Sequence, residues 1–380
     1  MKLYQQILCL HFIFIFLHMA AYSGAQENWP SPEVEQMYRH TQEYMARGDL
    51  NDAVITYKQM ITLAPDKTIL YKELGNAFYL SGKFEAAEET LTTVCAKPQA
   101  DPICYQLLAL SQAAQKDPSE ANKKHNQQDK KAIATLQKGL ERFPLAGLLY
   151  HEKGKILSVE DKPEDALNAW LDGISKEPDY APNYFEASLC YLKSKKVMWG
   201  LLYGEIYLDM QHDSVGDENI KNKLFAGYKT MFDGFAPEET PHFGKPQRVK
   251  TAKNFEEAVA EVYSRLTPVM SDGMSTENLT MVRVRFLMDW FSTYGNTYPF
   301  SLFSYDDTLV SYGRFDIWNE WIFGKAESVP EYDAWNTFHD GAITRTRAWQ
   351  SAHLLHPAMQ DNYNERNMDR LFEEKKNNKN

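Results

Sequence analysis

Small residues recur along the first half of the chain with a period of 34 positions. One register is separated by 34, 45, 34 and 34 positions and consists of Ala53, Ala87, Ala132, Ala166 and Gly200. A second register has separations of 34, 34, 45 and 34 positions, which is the same period once an 11-residue insertion is allowed for, and consists of Thr41, Gly75, Ala109, Gly154 and Ser188. A period of this length predicts repeated helical hairpins, in which small residues let two antiparallel helices approach closely.

Other residues in the same register define each predicted hairpin. A large residue follows each alanine by four positions, and we expect it to pack into the next hairpin; these residues are Tyr57, Leu91, Leu136 and Trp170. A proline lies 12 positions after three of the alanines, where it stops the second helix; these are Pro65, Pro144 and Pro178. Gly48 and Gly82 mark the tight turn inside the first two hairpins.

This pattern resembles the tetratricopeptide repeat (TPR) family over residues 34–212. The resemblance implies an all-α solenoid of about five repeats, at 34–67, 68–101, 102–146, 147–180 and, in degenerate form, 181–212. An 11-residue insertion is expected as a polar loop near 117–128. The apolar spacing in 217–232 predicts a helix that caps the last repeat and extends the solenoid region to 34–232.

The TPR resemblance also implies a binding groove, lined by the first helix of each repeat, that holds a peptide or a partner helix. The groove positions of the first four repeats correspond to Tyr38, Gln42, Lys72, Asn76, Tyr79, Gln106, His151 and Lys155. In the fifth unit the corresponding residues are apolar, namely Phe185, Leu189 and Leu192. We expect the C-terminal region to cover that apolar part.

Some TPR domains hold the C-terminal carboxylate of a peptide with a clamp of Lys, Asn and Arg side chains. Lys72 and Asn76 match the first two positions of such a clamp. Leu107, Leu148 and Glu152 stand where further donors are needed. Leucine cannot donate a hydrogen bond and a glutamate repels a carboxylate, so no carboxylate clamp is expected.

The second half of the chain is dense in aromatic residues. Positions 286–349 hold 17 aromatic residues in 64, against 13% aromatic residues in the whole chain. A Pro- and Gly-rich linker at 233–250 predicts a boundary, followed by a mainly helical domain at 251–363 and a charged tail at 364–380 that forms a frayed helix. We favour a compact aromatic core docked on the solenoid; the alternative is exposed aromatic rings that stack on sugars or anchor a protein.

Candidate chemical groups are few. The catalytic motifs GxSxG, HExxH and the P-loop do not occur, so we expect no enzyme activity, no catalytic residue and no cofactor. Asp316 and Glu320 could pair as two carboxylates, and His353 and His356 could chelate a metal together with His339. In both cases solvated side chains are the favoured interpretation, and no metal site is expected.

Residues 1–25 have the pattern of a secretory signal peptide. Lys2 precedes an apolar run at 7–17, and small residues stand before a cleavage site after Ala25, so the mature chain is expected to begin with a lead-in at 26–33. The apolar run is shorter than the roughly 20 residues that cross a bilayer, and no later segment is apolar enough. We therefore expect a periplasmic or secreted protein, without a membrane span in the mature chain.

Export permits disulfides, and Cys95 and Cys104 flank a short turn, so a local bridge is one alternative and two buried thiols are the favoured one. The formal net charge is −11, and it becomes −12 on removal of Lys2, the only charged residue of the signal peptide. This acidic balance argues against a nucleic-acid partner.

These features together resemble exported TPR proteins of Gram-negative cell envelopes that carry a helical C-terminal extension of unknown function. The resemblance implies a protein-binding adaptor or scaffold, whose partner is a peptide or a protein. The alternative is an enzyme or carbohydrate-binding subunit with its site in the aromatic C-terminal domain. The sequence leaves the identity of the partner and the oligomeric state open.

Overall fold

The computed structural model describes residues 28–115, 127–211, 217–235, 252, 254–271 and 273–377. All regular elements within these ranges are helices. The chain forms two compact units, Met1–Pro144 and Leu145–Asn380. The predicted signal peptide at 1–25, most of the insertion at 117–128 and most of the linker at 233–250 lie outside the described residues.

The N-terminal unit contains three helical hairpins. Their helices are α1 (Pro32–Arg47), α2 (Leu50–Leu63), α3 (Thr68–Leu80), α4 (Phe84–Cys95), α5 (Pro102–Ala113) and α6 (Gln127–Arg142). Each second helix packs against its own first helix, and α2 and α4 also pack against the first helix of the following hairpin. The last two residues of the predicted insertion, 127 and 128, belong to α6.

The C-terminal unit begins with two further hairpins and a capping helix. These helices are α7 (Gly147–Val159), α8 (Pro163–Lys176), α9 (Ala181–Tyr191), α10 (Val197–Met210) and α11 (Asp217–Asp233). Helix α11 packs on α10, and its predicted apolar residues Ile220, Leu224 and Tyr228 are buried. The described residues thus have an all-helical fold that includes a solenoid of TPR-like hairpins.

Shorter helices make up the rest of the C-terminal unit. They are α12 (Phe255–Ser264), a 3₁₀ turn (Thr267–Met270), α13 (Thr276–Trp290), α14 (Ser301–Ser311), α15 (Phe315–Asn319), α16 (Lys325–Glu327), α17 (Val329–Phe338), α18 (Asp340–Ser351) and α19 (Glu365–Asn377). A π-helical turn at Phe291–Gly295 ends α13, and a second one at Glu320–Gly324 joins α15 to α16.

The tight turns inside three hairpins use a left-handed backbone. Gly48 has φ of 80° and Gly82 has φ of 73°, as expected for glycine in a tight turn. Asp161, at the corresponding position of the fourth repeat, has φ of 59°. Aspartate tolerates this conformation better than most side chains, which explains how the fourth hairpin turns without a glycine.

The glycines of the second small-residue register face large side chains. A Cβ added to Gly75 would lie 2.5 Å from Leu91 Cγ, and one added to Gly154 would lie 2.5 Å from Trp170 Cε2. Leu91 and Trp170 therefore fill the space opposite the glycine of their own hairpin, whereas the sequence pattern suggested the next hairpin. The absent Cβ is what allows the two helices of each hairpin to pack so closely.

An aromatic core joins α10 to the helices that follow it. Trp199 of α10 lies 5.2 Å from Phe255, and Phe255 lies 4.9 Å from Phe300 and 5.5 Å from Trp290, measured between ring centroids. All four rings are at most 1% exposed. Phe300 and Trp290 of the aromatic block thus belong to a core on the last hairpin, whereas Tyr312 and Phe338 of the same block are 63% and 86% exposed.

The C-terminal helix α19 is anchored, so the prediction of a frayed tail was wrong for the residues that the structure describes. Phe372 stacks on Tyr298 with ring centroids 3.7 Å apart. At the start of the helix, the Glu365 carboxylate accepts hydrogen bonds from Tyr191 Oη and Lys196 Nζ. The Glu365 contacts tie α19 to the last hairpin, and the Phe372 contact ties it to the segment before α14.

A buried guanidinium lies where α10, α13, α14 and α15 meet. Arg283 is 2% exposed and donates to Glu205, to Asn319 and, at 3.3 Å, to Asp306. Burial raises the pKa of Asp306 to about 8, although Arg283 opposes the rise. Burial also raises the pKa of neighbouring Asp209 well above its ordinary value.

Aromatic rings complete the surroundings of this charge. The Arg283 guanidinium lies 5.0 Å from the centroid of Phe315, 5.5 Å from Phe323 and 5.9 Å from Tyr228. Glu205 also accepts a hydrogen bond from Tyr228 Oη at 2.5 Å. The cation thus holds together carboxylates and rings from several helical segments of the C-terminal unit, and its removal would leave the carboxylates buried and unpaired.

Replacing Arg283 should therefore destabilise the C-terminal unit strongly. In Arg283→Met the carboxylates of Glu205 and Asp306 lose their cation in a buried site, and we expect a loss of about 3–5 kcal/mol in the free energy of unfolding. The matched control is Arg285→Met, because Arg285 lies on the same helix but pairs with Asp289 at the surface. That change should cost less than about 1 kcal/mol in urea unfolding at pH 7. Equal losses in the two variants would contradict the assignment.

Candidate functional site

The predicted groove residues divide between the two units. The N-terminal unit contains Tyr38, Gln42, Lys72, Asn76, Tyr79 and Gln106, on helices α1, α3 and α5. The C-terminal unit contains His151 and Lys155, on helix α7. All of these side chains are half-buried except Asn76, which is buried.

Lys72 forms an ion pair that connects α3 to the start of α5. Its Nζ donates to Asp101 Oδ2 at 2.7 Å, and Asp101 Oδ1 accepts from the backbone N–H of Cys104 at 3.0 Å, which caps α5. Burial lowers the pKa of Lys72, but the Asp101 carboxylate raises it above its ordinary value. Only 11% of the Lys72 side chain is exposed, so its charge is already neutralised inside the unit.

Glu73, beside Lys72, is a buried acid that the groove register did not reveal. It is 1% exposed, and its Oε1 atom has no hydrogen-bond partner within the described residues. Burial raises its pKa to about 7; Lys72 opposes this rise and Asp101 adds to it. Its position three residues after buried Leu70 was the available signal, because that spacing places it on the buried stripe of α3.

Gln42 and Tyr57 extend this arrangement toward α1 and α2. Gln42 Nε2 donates to Tyr57 Oη at 2.8 Å. Tyr57 is fully buried, and burial together with Glu73 raises its pKa far above the ordinary value. We call Gln42, Tyr57, Lys72, Glu73 and Asp101 the polar patch.

Aromatic residues lie on two of the helices that form the polar patch. Tyr38 of α1 contacts Trp29, with ring centroids 4.7 Å apart. Tyr79 of α3 contacts Phe84, with ring centroids 5.8 Å apart. Half-buried rings next to polar side chains are the composition of many protein-binding surfaces.

In the C-terminal unit, His151 and Lys155 converge on one buried acid. His151 Nδ1 lies 3.6 Å from Glu152 Oε1, its Nε2 lies 3.8 Å from Glu186 Oε1, and Lys155 Nζ lies 3.6 Å from Glu152 Oε2. Burial lowers the pKa of His151, but Glu152 and Glu186 raise it above its ordinary value. The basic groups at these two positions are thus compensated by carboxylates.

The candidate groups near the C-terminus do not form one site. Asp316 is exposed, whereas Glu320 is half-buried, and burial and Glu327 raise its pKa. The Nδ1 atom of His353 bonds the Trp349 carbonyl at 2.7 Å, and that of His356 bonds Asp179 at 2.8 Å.

The described part of the chain contains neither a metal-binding cluster nor a membrane-spanning helix. No group of three His, Cys, Asp or Glu side chains there is placed to hold a metal ion. None of the helices there is long and apolar enough to cross a membrane.

The three cysteines of the described chain are free thiols. Cys95 and Cys104 are buried, and burial raises the pKa of Cys95 to about 12 and that of Cys104 further. The favoured interpretation of two buried thiols agrees with this structure.

No family model and no curated protein matches the chain. Solved structures with a similar fold include TTC0263, a thermophilic TPR protein of Thermus thermophilus, at 14% identity and a TM-score of 0.41; the match covers 51% of this chain and 98% of that one. YrrB, a TPR protein with an unusual peptide-binding site, matches at 16% identity and a TM-score of 0.32, over 47% of this chain and 86% of its own. The TPR2AB domain of yeast Sti1, in complex with pHSP90, matches at 12% identity and a TM-score of 0.24, over 60% and 95%.

The raised pKa of Glu73 predicts a pH-dependent stability in the N-terminal unit. Between the ordinary value of 4.5 and about 7, the folded state binds a proton that the unfolded state has lost, so stability falls as the pH rises through this window. Through Glu73, the free energy of unfolding should decrease by on the order of 1–3 kcal/mol between pH 5 and pH 8, and Glu73→Gln should abolish this decrease. Hydrogen exchange of the α3 amides measures the effect.

The matched control for this experiment is Glu85→Gln, since Glu85 is exposed on α4. This variant should keep the wild-type pH dependence. If Glu73→Gln kept it as well, the assignment of a buried acid with a raised pKa would be wrong.

Proposed function

We propose that this chain is an exported scaffold that binds a protein segment on the first helices of its N-terminal unit. The supporting observation is the polar patch, with half-buried tyrosines on two of its helices. Its cation, Lys72, is already paired with Asp101, and the Asp101 side chain is 29% exposed, so the group that a partner can reach there is an acceptor. A partner segment that brings hydrogen-bond donors, such as backbone N–H groups or basic side chains, complements this surface better than a C-terminal carboxylate does.

Binding rather than catalysis fits the chemistry near the patch. The thiols closest to it in the chain are those of Cys95 and Cys104, and burial raises the pKa of both. A thiol in that state is a poor nucleophile at neutral pH. We therefore propose an adaptor or scaffold without a catalytic role for the patch.

We further propose that the scaffold acts in the bacterial cell envelope, after removal of residues 1–25. The supporting features are the charged start, the short apolar run and the small residues before Ala25. The acidic mature chain also fits a partner segment with basic side chains.

Site-specific photocrosslinking in the full chain tests the binding surface. A photoreactive residue at Tyr79 or at Gln106 should capture the same segment of the same protein, because α3 and α5 pack side by side. The matched control position is Lys138, which is exposed on α6, and it should not capture that segment. Adding Lys72→Glu should raise capture about tenfold, since it removes the cation and places a further acid beside Glu73 and Asp101, which favours a segment with basic donors.

Two results would contradict the proposed surface. One is capture of the same segment from Lys138 as efficiently as from the two groove positions. The other is capture that Lys72→Glu leaves unchanged while circular dichroism shows a folded protein.

Export is tested separately by the mass of the mature protein. We expect the chain isolated from a Gram-negative host to begin at Gln26 and to be released with the periplasmic fraction. A full-length chain that stays in the cytoplasmic fraction would refute export and leave the binding surface untouched.

A further inference from the structure

A cleft of about 310 Å³ opens between α11 and the segment that contains the second π-helical turn. Its lining consists of Asp217, Glu218, Lys221, Asn222, Trp321, Ile322, Lys325, Ala326 and Tyr332. The volume is at the small end of the roughly 300–1,000 Å³ of typical ligand sites. The cleft lies wholly within the C-terminal unit and shares no residue with the polar patch.

The floor of the cleft is an indole ring held in a fixed position. Trp321 stacks on Trp318, with ring centroids 4.4 Å apart and an angle of 9° between the planes. Trp321 belongs to the π-helical turn at Glu320–Gly324, an irregularity that helices often carry at functional sites. Gly324 is required there, because an added Cβ would lie 2.8 Å from Glu320 Cδ and 2.9 Å from Tyr332 Cδ2.

Two lysines belong to the lining of the cleft. The Lys221 ammonium lies over the Trp321 ring, on which Trp318 also stacks. Lys325 forms an ion pair with Glu218, and both side chains are about half exposed. Flexible surface side chains of this kind can move aside at low cost when a ligand enters.

The charges of the lining balance. Asp217 and Glu218 offset Lys221 and Lys325, so neither an anion nor a cation finds an unopposed charge. The same groups, with Asn222, offer both hydrogen-bond donors and acceptors around an aromatic face. A neutral ring that carries many hydroxyl groups meets all three conditions, since its C–H face suits the negative face of an indole.

We propose that this cleft binds a neutral carbohydrate, with one pyranose ring placed on Trp321 in the position that Lys221 covers. The hydroxyl groups of the sugar then exchange hydrogen bonds with Asn222 and with the acids of α11. This inference goes beyond the proposed scaffold function, and either one can fail without the other.

Saturation-transfer NMR on the full mature chain tests the cleft. The probes are chitobiose and maltose as neutral sugars, glucose 6-phosphate as an anion and choline as a cation. We expect transfer to the ring protons of at least one neutral sugar and a weaker effect on the charged probes. Trp321→Phe should weaken sugar binding about tenfold, because the smaller ring loses contact area. The matched control is Trp335→Phe, a half-buried tryptophan on α17 outside the cleft, and it should leave the affinity unchanged.

Should Trp321→Phe fail to fold, a titration of the wild-type chain replaces it. The indole N–H resonance of Trp321 should then shift with sugar concentration, while that of Trp335 stays in place. Binding of only choline or only glucose 6-phosphate would overturn the proposal, as would an absence of transfer to both sugars. Equal weakening by Trp321→Phe and Trp335→Phe would also overturn it.

Discussion

One buried cation, the guanidinium of Arg283, joins the last hairpin to the helices that follow it. A charge without water needs several partners, and here they come from α10, α14 and α15. Glu205 belongs to the last TPR hairpin, whereas Asp306 and Asn319 belong to the helices that follow. Neither part can bury its own groups alone, so the hairpin and the later helices must fold against each other. The aromatic core around Phe255 reinforces this dependence through dispersion and apolar burial.

The binding surfaces that we propose differ in how their charges are balanced. In the polar patch, an ion pair occupies Lys72, and a buried acid with a raised pKa remains beside it. In the cleft, two surface lysines and two acids cancel around an opening above Trp321. The first arrangement suits a protein segment that brings donors, and the second suits an uncharged ligand.

The repeats could be predicted from the sequence because their cause is local. Small residues such as Gly75 recur where the two helices of a hairpin touch, so a period of 34 residues in the sequence identifies the hairpins. The turn at Asp161 followed the same register but not the same residue type, so only the structure showed its conformation.

The buried charges could not be predicted in this way. Arg283 and Arg285 lie two positions apart on one helix, and their residue type does not distinguish them. Only Arg283 is buried, and its partner Glu205 lies 78 residues away along the chain. Side-chain type alone contains no information about such distant contacts, which is why α19 was expected to be frayed.

The last hairpin and the later helices should form one cooperative structure around Arg283. Native-state hydrogen exchange measures this most directly, because it reports the opening free energy of each helix separately. A single cooperative structure predicts one shared opening free energy for the slowest amides of α10, α13 and α14, with a joint decrease in Arg283→Met. Opening of α13 and α14 at a lower free energy than α10, with α10 unaffected by the substitution, would contradict it.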